Sequence, residues 1–383
     1  LATIFDSERS VKARLNKRQH SDRSTLEFDQ DPTERAAFSR IISSVGCQAH
    51  RGWDKTRAHQ PFAGATWFAL TSDNPQTMAR YSLQGKVALI TGGARGIGLG
   101  IAEAFVARGA NVALLDLEAE EVQRPAAALG ADRAIGIGAD VTDTAALQAA
   151  VATTVERFGG VDIVVANAGI APMPNTARIM DPVEFERVVE VDLLGVYRTV
   201  RAALPQVVAR GGQVVLVSSV YAFLNGMLVS PYAVSKAGVE ALGRAMRAEL
   251  APHGASVTVA YFGFVDTRMV QDIMDRDDQA ADRQELFPEF ITRRITPAQA
   301  GEAVAEGVLR RRGRVIAPRY WTTLSVLRGV VNPAFDLLTS KQRRVHDVIR
   351  DAEATAGGAP GAADAPNPAP GGQPSPNRPG TSS

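Results

Sequence analysis

The stretch Lys86–Gly98, KVALITGGARGIG, limits what this chain can fold into more than any other. Val87, Ala88, Leu89 and Ile90 make an unbroken apolar run, the pattern of a short strand buried on both faces. Four glycines, at 92, 93, 96 and 98, then break the run. From Ile97 the apolar spacing turns helical through Ile101, Ala104 and Phe105, with Gly109 as a stop. Strand, glycine turn and helix together make a place to hold a phosphate. The helix N-terminus offers unpaired N–H groups and partial positive charge, and glycines let the backbone approach an anion with no Cβ in the way.

The alternation continues from there. Strands are expected at Asn111–Leu115, Ala134–Gly138, Asp162–Ala166, Gln213–Val217, Ser256–Tyr261 and Arg314–Ala317. Helices are expected over Glu118–Leu129, Thr144–Phe158, Pro182–Arg210, Tyr232–Leu250 and Gln299–Arg312. Strands alternating with helices imply right-handed parallel crossovers and helices on both faces, hence an α/β, doubly wound parallel sheet. Ligands of such sheets bind at the carboxyl ends of the strands.

The flanks read differently. Residues 1–77 hold the only cysteine, Cys47, and show no sustained apolar period. They are read as a poorly ordered extension ahead of Met78, with residues 78–318 as the catalytic domain. The alternative is a partner-binding or targeting arm. Residues 319–350 form an apolar, amphipathic helical extension interrupted at Asn332–Pro333. Packing on the domain is its expected use, and contact with a membrane surface is the alternative. Residues 351–383, rich in Pro, Gly, Ala and Ser, read as a disordered tail. Phe264–Ile295, charged and irregular after the sixth strand, suits a substrate lid. Its apolar members and neighbours, Phe262, Phe264, Met269, Met274, Phe287 and Phe290, point to a hydrophobic substrate.

A formal net charge of +1 gives no electrostatic reason for a nucleic-acid partner. One cysteine leaves no intrachain disulfide and no usual metal cluster, so no metal is expected and cytoplasmic residence is. No apolar run reaches the ~18–20 residues of a membrane span.

Three positions carry chemistry on their own residues. Asp116 ends the second strand; a carboxylate there can accept hydrogen bonds from both ribose hydroxyls of NAD and repels the extra phosphate of NADP. A helix N-cap is its other reading. Tyr232 and Lys236 stand four residues apart on one helix face, one turn from each other. A free phenol has a pKa near ~10, and an adjacent ammonium favours the phenolate. With six tyrosines and six lysines in 383 residues, roughly 0.1 such pairs arise by accident. Ser218 and Ser219 follow the strand QVVLV, and alternation sends them to opposite faces, so only one can hold a substrate oxygen there.

Taken in order, the TGGARGIG turn, Asn167-Ala168-Gly169, Ser219 and the run Tyr232-Ala233-Val234-Ser235-Lys236 resemble the classical short-chain dehydrogenase/reductase family from about Leu83 to Pro318. The resemblance implies a Rossmann-type single domain and reversible hydride transfer between a nicotinamide and an alcohol/carbonyl pair. It selects Ser219 by its spacing from Tyr232. It implies cofactor contacts from Thr91, Gly92, Arg95, Gly96, Ile97 and Gly98 in the turn, and from Asp116. Asp140 and Val141 would meet the adenine, although Asp140 reads equally as a loop or N-cap aspartate. Asn167, Ala168 and Gly169 would let the backbone pass close to the cofactor; Val265 and Thr267 would contact its amide, and Tyr232 and Lys236 its nicotinamide ribose.

Arg95 sits where a basic residue in this family often accompanies NADP. A carboxylate beside a 2′-phosphate costs more than one exposed arginine returns, so NAD is expected and NADP is the alternative. The chain departs from the pattern twice: Asp192 stands in Asp192-Leu193-Leu194-Gly195 where an asparagine is usual, and Phe262-Gly263 replaces Pro-Gly. Asp192 is expected to hold a water of the proton relay or to alter the pKa of Lys236. Small residues on the Tyr232–Leu250 helix, Gly238 and Ala241 among them, suit a homodimer or homotetramer through the two long helices. The expected activity is hydride transfer between NAD and a hydrophobic secondary alcohol or ketone. The rivals are an NADPH-dependent carbonyl reductase and a non-catalytic nucleotide-binding sensor or scaffold.

Overall fold

The computed structural model describes residues 80–274 and 292–357. The extension at 1–77, the lid residues Phe287 and Phe290, and residues 358–383 of the tail lie outside the described residues.

Seven strands form one sheet: β1 (Val87–Thr91), β2 (Asn111–Asp116), β3 (Ala134–Gly138), β4 (Ile163–Ala166), β5 (Gln213–Ser219), β6 (Ser256–Phe262) and β7 (Arg314–Ala317). Their spatial order is β3-β2-β1-β4-β5-β6-β7, parallel throughout. The order reverses between β1 and β4, the switch point at which such sheets open a crevice for ligands.

Alternation along the strands feeds two cores. Ala88 and Ile90 of β1, Val112 and Leu114 of β2, and Ile163 and Val165 of β4 point to one face. There they meet Ile101 and Phe105 of α1 (Gly96–Val106), Val122 of α2 (Ala119–Leu129) and a third helix introduced below. Leu89, Ala113 and Val164 point to the other face. They pack on Leu147 of α3 (Thr144–Phe158) and on the long helices that follow β4 and β5. Each fully buried aliphatic side chain contributes roughly 1.5–3 kcal/mol, which is why strands this short hold.

The helix expected over Pro182–Arg210 is three segments: α4 (Pro182–Val189), a π-helical stretch over Glu190–Gly195, and α5 (Val196–Ala209). Asp181 caps its start, accepting from the Val183 N–H at 2.9 Å. The π-stretch carries Asp192 and Gly195, both buried. A Cβ at Gly195 would lie 2.7 Å from the Val141 side chain, so this turn is pressed against the loop after β3. Next come α6 (Ser230–Leu250), α7 (Arg268–Met274) and α8 (Pro297–Leu309). Val304 and Val308 of α8 supply the third helix of the first core. Thr296 and Gln299 close a capping box at the start of α8.

Two helices follow β7: α9 (Trp321–Thr339) and α10 (Arg343–Gly357). The break expected at Asn332–Pro333 does not occur, and Pro333 lies inside α9. Side-chain anchors on both sides of the proline hold the helix to the domain: Arg328 on Glu240, Asn332 on the Phe223 carbonyl, and Asp336 on Asn225. Helix also extends further than expected, since α10 reaches Gly357, inside the segment read as tail. Val345 and Ala352 are buried, and Glu353 accepts from the Thr176 hydroxyl at 2.8 Å and pairs with Arg178. Composition alone hid these contacts. No helix of the described residues is long and apolar enough to cross a membrane.

Candidate active site

The carboxyl ends of β1–β6 open into one cleft of about 690 Å³. Of the residues expected there, Gly92, Arg95, Gly96, Ile97, Asp116, Asp140, Val141, Asn167, Ala168, Gly169, Asp192, Ser219, Tyr232, Lys236, Val265 and Thr267 line it. Thr91 and Gly98 do not. Thr91 is buried, its hydroxyl donating to the Val165 carbonyl at 3.4 Å and accepting from the N–H groups of Asn167 and Ala168 at 3.1 and 3.2 Å. A Cβ at Gly98 would sit 2.1 Å from the Gly92 carbonyl oxygen, so this glycine lets the helix fold back on the turn. Both residues brace the cleft from behind. The Asn167 amide works the same way, donating to the carbonyls of Thr91 and Gly92 at 2.9 and 3.1 Å and tying the ends of β1 and β4 together.

At the nucleotide end, Gly92 and Gly96 have φ of 63° and 58°, a backbone only glycine adopts freely. Arg95, the residue before α1, makes no side-chain cap, so the first N–H groups of α1 keep their hydrogen-bonding capacity for a ligand. Asp116 Oδ2 accepts from the Ala94 N–H at 3.0 Å and Oδ1 from the Leu117 N–H at 2.9 Å, which points the carboxylate across the turn. Asp116 therefore does not cap α2; Glu118 occupies the cap position. Arg95 pairs with Glu121 at 3.0 Å, both side chains exposed. Asp140 is exposed and accepts from the Thr142 N–H at 2.8 Å, while the cap of α3 is Asp143. The uncapped helix start, the open glycine turn and the placed carboxylate fit the phosphates and ribose of a dinucleotide.

At the other end, Ser219 closes β5 and Tyr232 and Lys236 come from the first turns of α6. The Ser219 hydroxyl favours the Tyr232 phenolate, and it accepts from the Tyr221 N–H at 3.2 Å. Ser218 also borders the cleft, but its hydroxyl is engaged, donating to the Lys236 carbonyl at 2.9 Å. The Lys236 ammonium lies 5.3 Å from the Tyr232 ring centroid and 3.1 Å from Asp192 Oδ2. Asp192 Oδ1 accepts from the Ile170 N–H at 2.7 Å. Lysine and aspartate are both buried, 4% and 0% exposed at their side chains, so the π-stretch delivers a desolvated ion pair behind the tyrosine.

Burial pushes the Tyr232 phenol above the usual range. Lys236 and Ser219 pull it down and Asp192 pushes it further up. The sequence accounts for the lysine; burial first, and the opposing carboxylate after it, make the net direction upward. Burial works to lower Lys236, yet Asp192 and Tyr232 outweigh it and the ammonium is held above its ordinary value. Burial raises Asp192, against the pull of Lys236 and of the Ile170 N–H.

Two residues around the cleft carried no signal in the sequence. Tyr221 stacks edge-on against Tyr232, centroids 6.1 Å apart at 82°, and burial lifts its phenol to about 12. Only its place two residues after Ser219 could have flagged it. Trp321 is fully buried behind Gly263, where a Cβ would lie 2.4 Å from the indole nitrogen. That contact braces the loop whose Pro-Gly is missing. Phe262, expected in a lid, is the buried last residue of β6, although its edge reaches the cleft together with Met269.

The family model described as short chain dehydrogenase matches residues 86–278. The chain is 36% identical over 236 residues to oxidoreductase UcpA of Salmonella typhimurium, covering 58% of this chain and 87% of that protein. It is 36% identical over 211 residues to (-)-trans-carveol dehydrogenase of Rhodococcus erythropolis, covering 51% and 75%. The crystal structure of 3-ketoacyl-(acyl-carrier-protein) reductase from Brucella melitensis complexed with NADH superposes with a TM-score of 0.55 at 30% identity, covering 62% of this chain and 98% of that one. Sheet order, cleft and these matches agree: the chain belongs to the short-chain dehydrogenase family and is an NAD(P)-dependent oxidoreductase acting on CH–OH groups.

Proposed function

We propose that the chain oxidises a hydrophobic secondary alcohol, or reduces the matching ketone, with NAD as its cofactor. The observation that carries this reading is one cleft with Asp116 fixed at the glycine turn and Ser219, Tyr232 and Lys236 at its far end. The bound nicotinamide supplies or accepts the hydride. Ser219 holds the substrate oxygen, and Tyr232 moves the proton at that oxygen as acid or base. Lys236 favours the phenolate and reaches toward the nicotinamide ribose. Asp192 acts through Lys236, fixing the ammonium and setting the pH at which the tyrosine works.

The nucleotide-binding roles follow from the same lining. Gly92, Gly96 and Ile97 offer backbone to the phosphates. Asp140 and Val141 lie on the adenine side, and Val265 and Thr267 on the amide side. Asp116 favours NAD by charge, and Arg95, already paired with Glu121, does little for NADP. Phe262 and Met269 give the substrate end apolar surface. The exposed Val183, Leu194, Tyr197 and Val234 on α4–α6 suit a homo-oligomer.

Initial rates over a panel of secondary alcohols with both cofactors test the proposal. Turnover with a higher kcat/KM for NAD is expected. A higher value with NADP moves the chain to the NADPH-dependent reading, and a folded protein that binds NAD but turns over nothing in the panel moves it to the sensor reading.

A further inference from the structure

Helix α9 is apolar on its outer face and is held to the domain in part by polar anchors. Two Arg328 N–H groups donate to the Glu240 carboxylate at 2.9 and 2.8 Å, and the Asn332 amide donates to the Phe223 carbonyl at 2.9 Å. Trp321 and Ser325 are buried on the same side. Its outer face carries Val326, Leu327, Val330, Ala334, Leu337 and Leu338, all exposed, Val330 to 77% and Leu338 to 66%. At ~100° per residue these six fall within an arc of about 120°. A surface helix ordinarily turns charge to water and apolar side chains to the core. Here Trp321, an ion pair and an amide hold the helix down, and a continuous apolar stripe is left outside over about four turns.

Basic residues bracket the stripe. Arg319 is exposed just ahead of α9, and Lys341 and Arg343 are exposed just past its end. This placement selects among occupants. If a second copy paired its stripe with this one about a two-fold axis, parallel or antiparallel, basic ends would meet basic ends. An anionic lipid surface satisfies the apolar arc and both ends at once. We infer that α9 is a docking face for an anionic bilayer surface, lying in the interface plane with Val326, Val330 and Leu338 in the acyl boundary and Arg319, Lys341 and Arg343 on the headgroups.

The test is vesicle flotation of the full chain, with phosphatidylcholine alone and with phosphatidylglycerol added. Flotation with the anionic vesicles, weakening as salt rises, is the expected result. Val330→Asp with Leu338→Asp should cut partition about 10-fold or more. Lys341→Ala and Arg343→Ala should each cut it about 5-fold, with a shallower salt dependence. All four residues lie outside the cleft, so each variant should keep the parent's melting temperature and turnover of dissolved alcohol. If the aspartates lower the melting temperature, Val330→Ser with Leu338→Ser repeats the comparison without new charge. Failure of the folded parent to float with phosphatidylglycerol overturns the inference, as does flotation indifferent to every substitution. A fall in oligomer size on light scattering for the Val330 and Leu338 variant also overturns it, and assigns the stripe to a second copy.

Discussion

Two carboxylates mark the two ends of the cleft, and the chain holds them by different means. Asp116 is partly exposed and fixed by two backbone N–H groups, at 3.0 and 2.9 Å. Asp192 is buried, with one N–H at 2.7 Å and the Lys236 ammonium at 3.1 Å. A charge beside water is screened and acts over a short range, which suits recognition of a ligand pressed against it. A desolvated charge is screened little and acts on its neighbours' protons. On the proposed reading, Asp116 decides what enters and Asp192 decides at what pH the chemistry runs.

The largest expected effect tests the catalytic end as a whole. Tyr232→Phe keeps the ring and removes the proton, so kcat should fall by ~10²–10⁴-fold. NAD affinity, measured by calorimetry, should stay close to the parent's, since the phosphate and adenine-ribose contacts are remote and Lys236 still reaches the nicotinamide ribose. More than a few per cent of residual turnover would contradict the acid–base role.

Asp192 comes next, and two substitutions separate its charge from its shape. Asp192→Ala strips the partner from a buried ammonium, a loss of about 3–5 kcal/mol, and should lower the melting temperature sharply. Asp192→Asn keeps an acceptor for the Ile170 N–H and should fold and turn over. Its pH profile should move. The carboxylate raises both Tyr232 and Lys236, so its removal lets both titrate at lower pH. Alcohol oxidation needs the phenolate, so its rising limb should move to lower pH. An unmoved profile in an active Asp192→Asn enzyme would show that the pair is structural only.

The sequence carried the sheet almost strand for strand, because most strands are short apolar runs, although Gly136 falls inside β3 and Thr258 inside β6. It carried the Tyr232–Lys236 face for the same local reason, a spacing of four. What it hid depends on approach between distant segments. The π-stretch at Glu190–Gly195 reads as ordinary helix, since one widened turn leaves the apolar period nearly intact. Thr91 and Gly98 look like cofactor contacts in the motif, and only the packing of β4 on β1 shows them bracing it. The tyrosine's direction of shift needed its burial in the folded cleft and, after that, Asp192 brought beside it from 40 residues earlier in the chain. Pro333 inside α9 shows tertiary anchors overriding a strong local breaker.

At the nucleotide end the expected effects are smaller. Asp116→Ala removes the repulsion of a 2′-phosphate together with an acceptor for the ribose. The preference for NAD over NADP, as a ratio of kcat/KM, should fall about tenfold or more. An equal loss with both cofactors would mean that Asp116 only shapes the turn through the Ala94 N–H.

The smallest expected effect isolates Arg95. Its guanidinium is held by Glu121 at 3.0 Å, with the two side chains 58% and 50% exposed. A surface pair of this kind is worth ~0–1 kcal/mol, so Glu121→Ala should leave the melting temperature nearly unchanged. It also frees a cation beside the turn that faces Asp116. With Asp116 intact, the carboxylate still repels the 2′-phosphate, and kcat/KM with NADP should rise at most about fivefold. With Asp116→Ala in the same chain, the freed arginine meets no opposing charge there, and the gain with NADP should exceed that of Asp116→Ala alone. Initial rates with both cofactors for the two single variants and the double variant measure the coupling. A double variant no better with NADP than Asp116→Ala would show that Arg95 does not reach the ribose, leaving Asp116 as the sole charge that sets the preference.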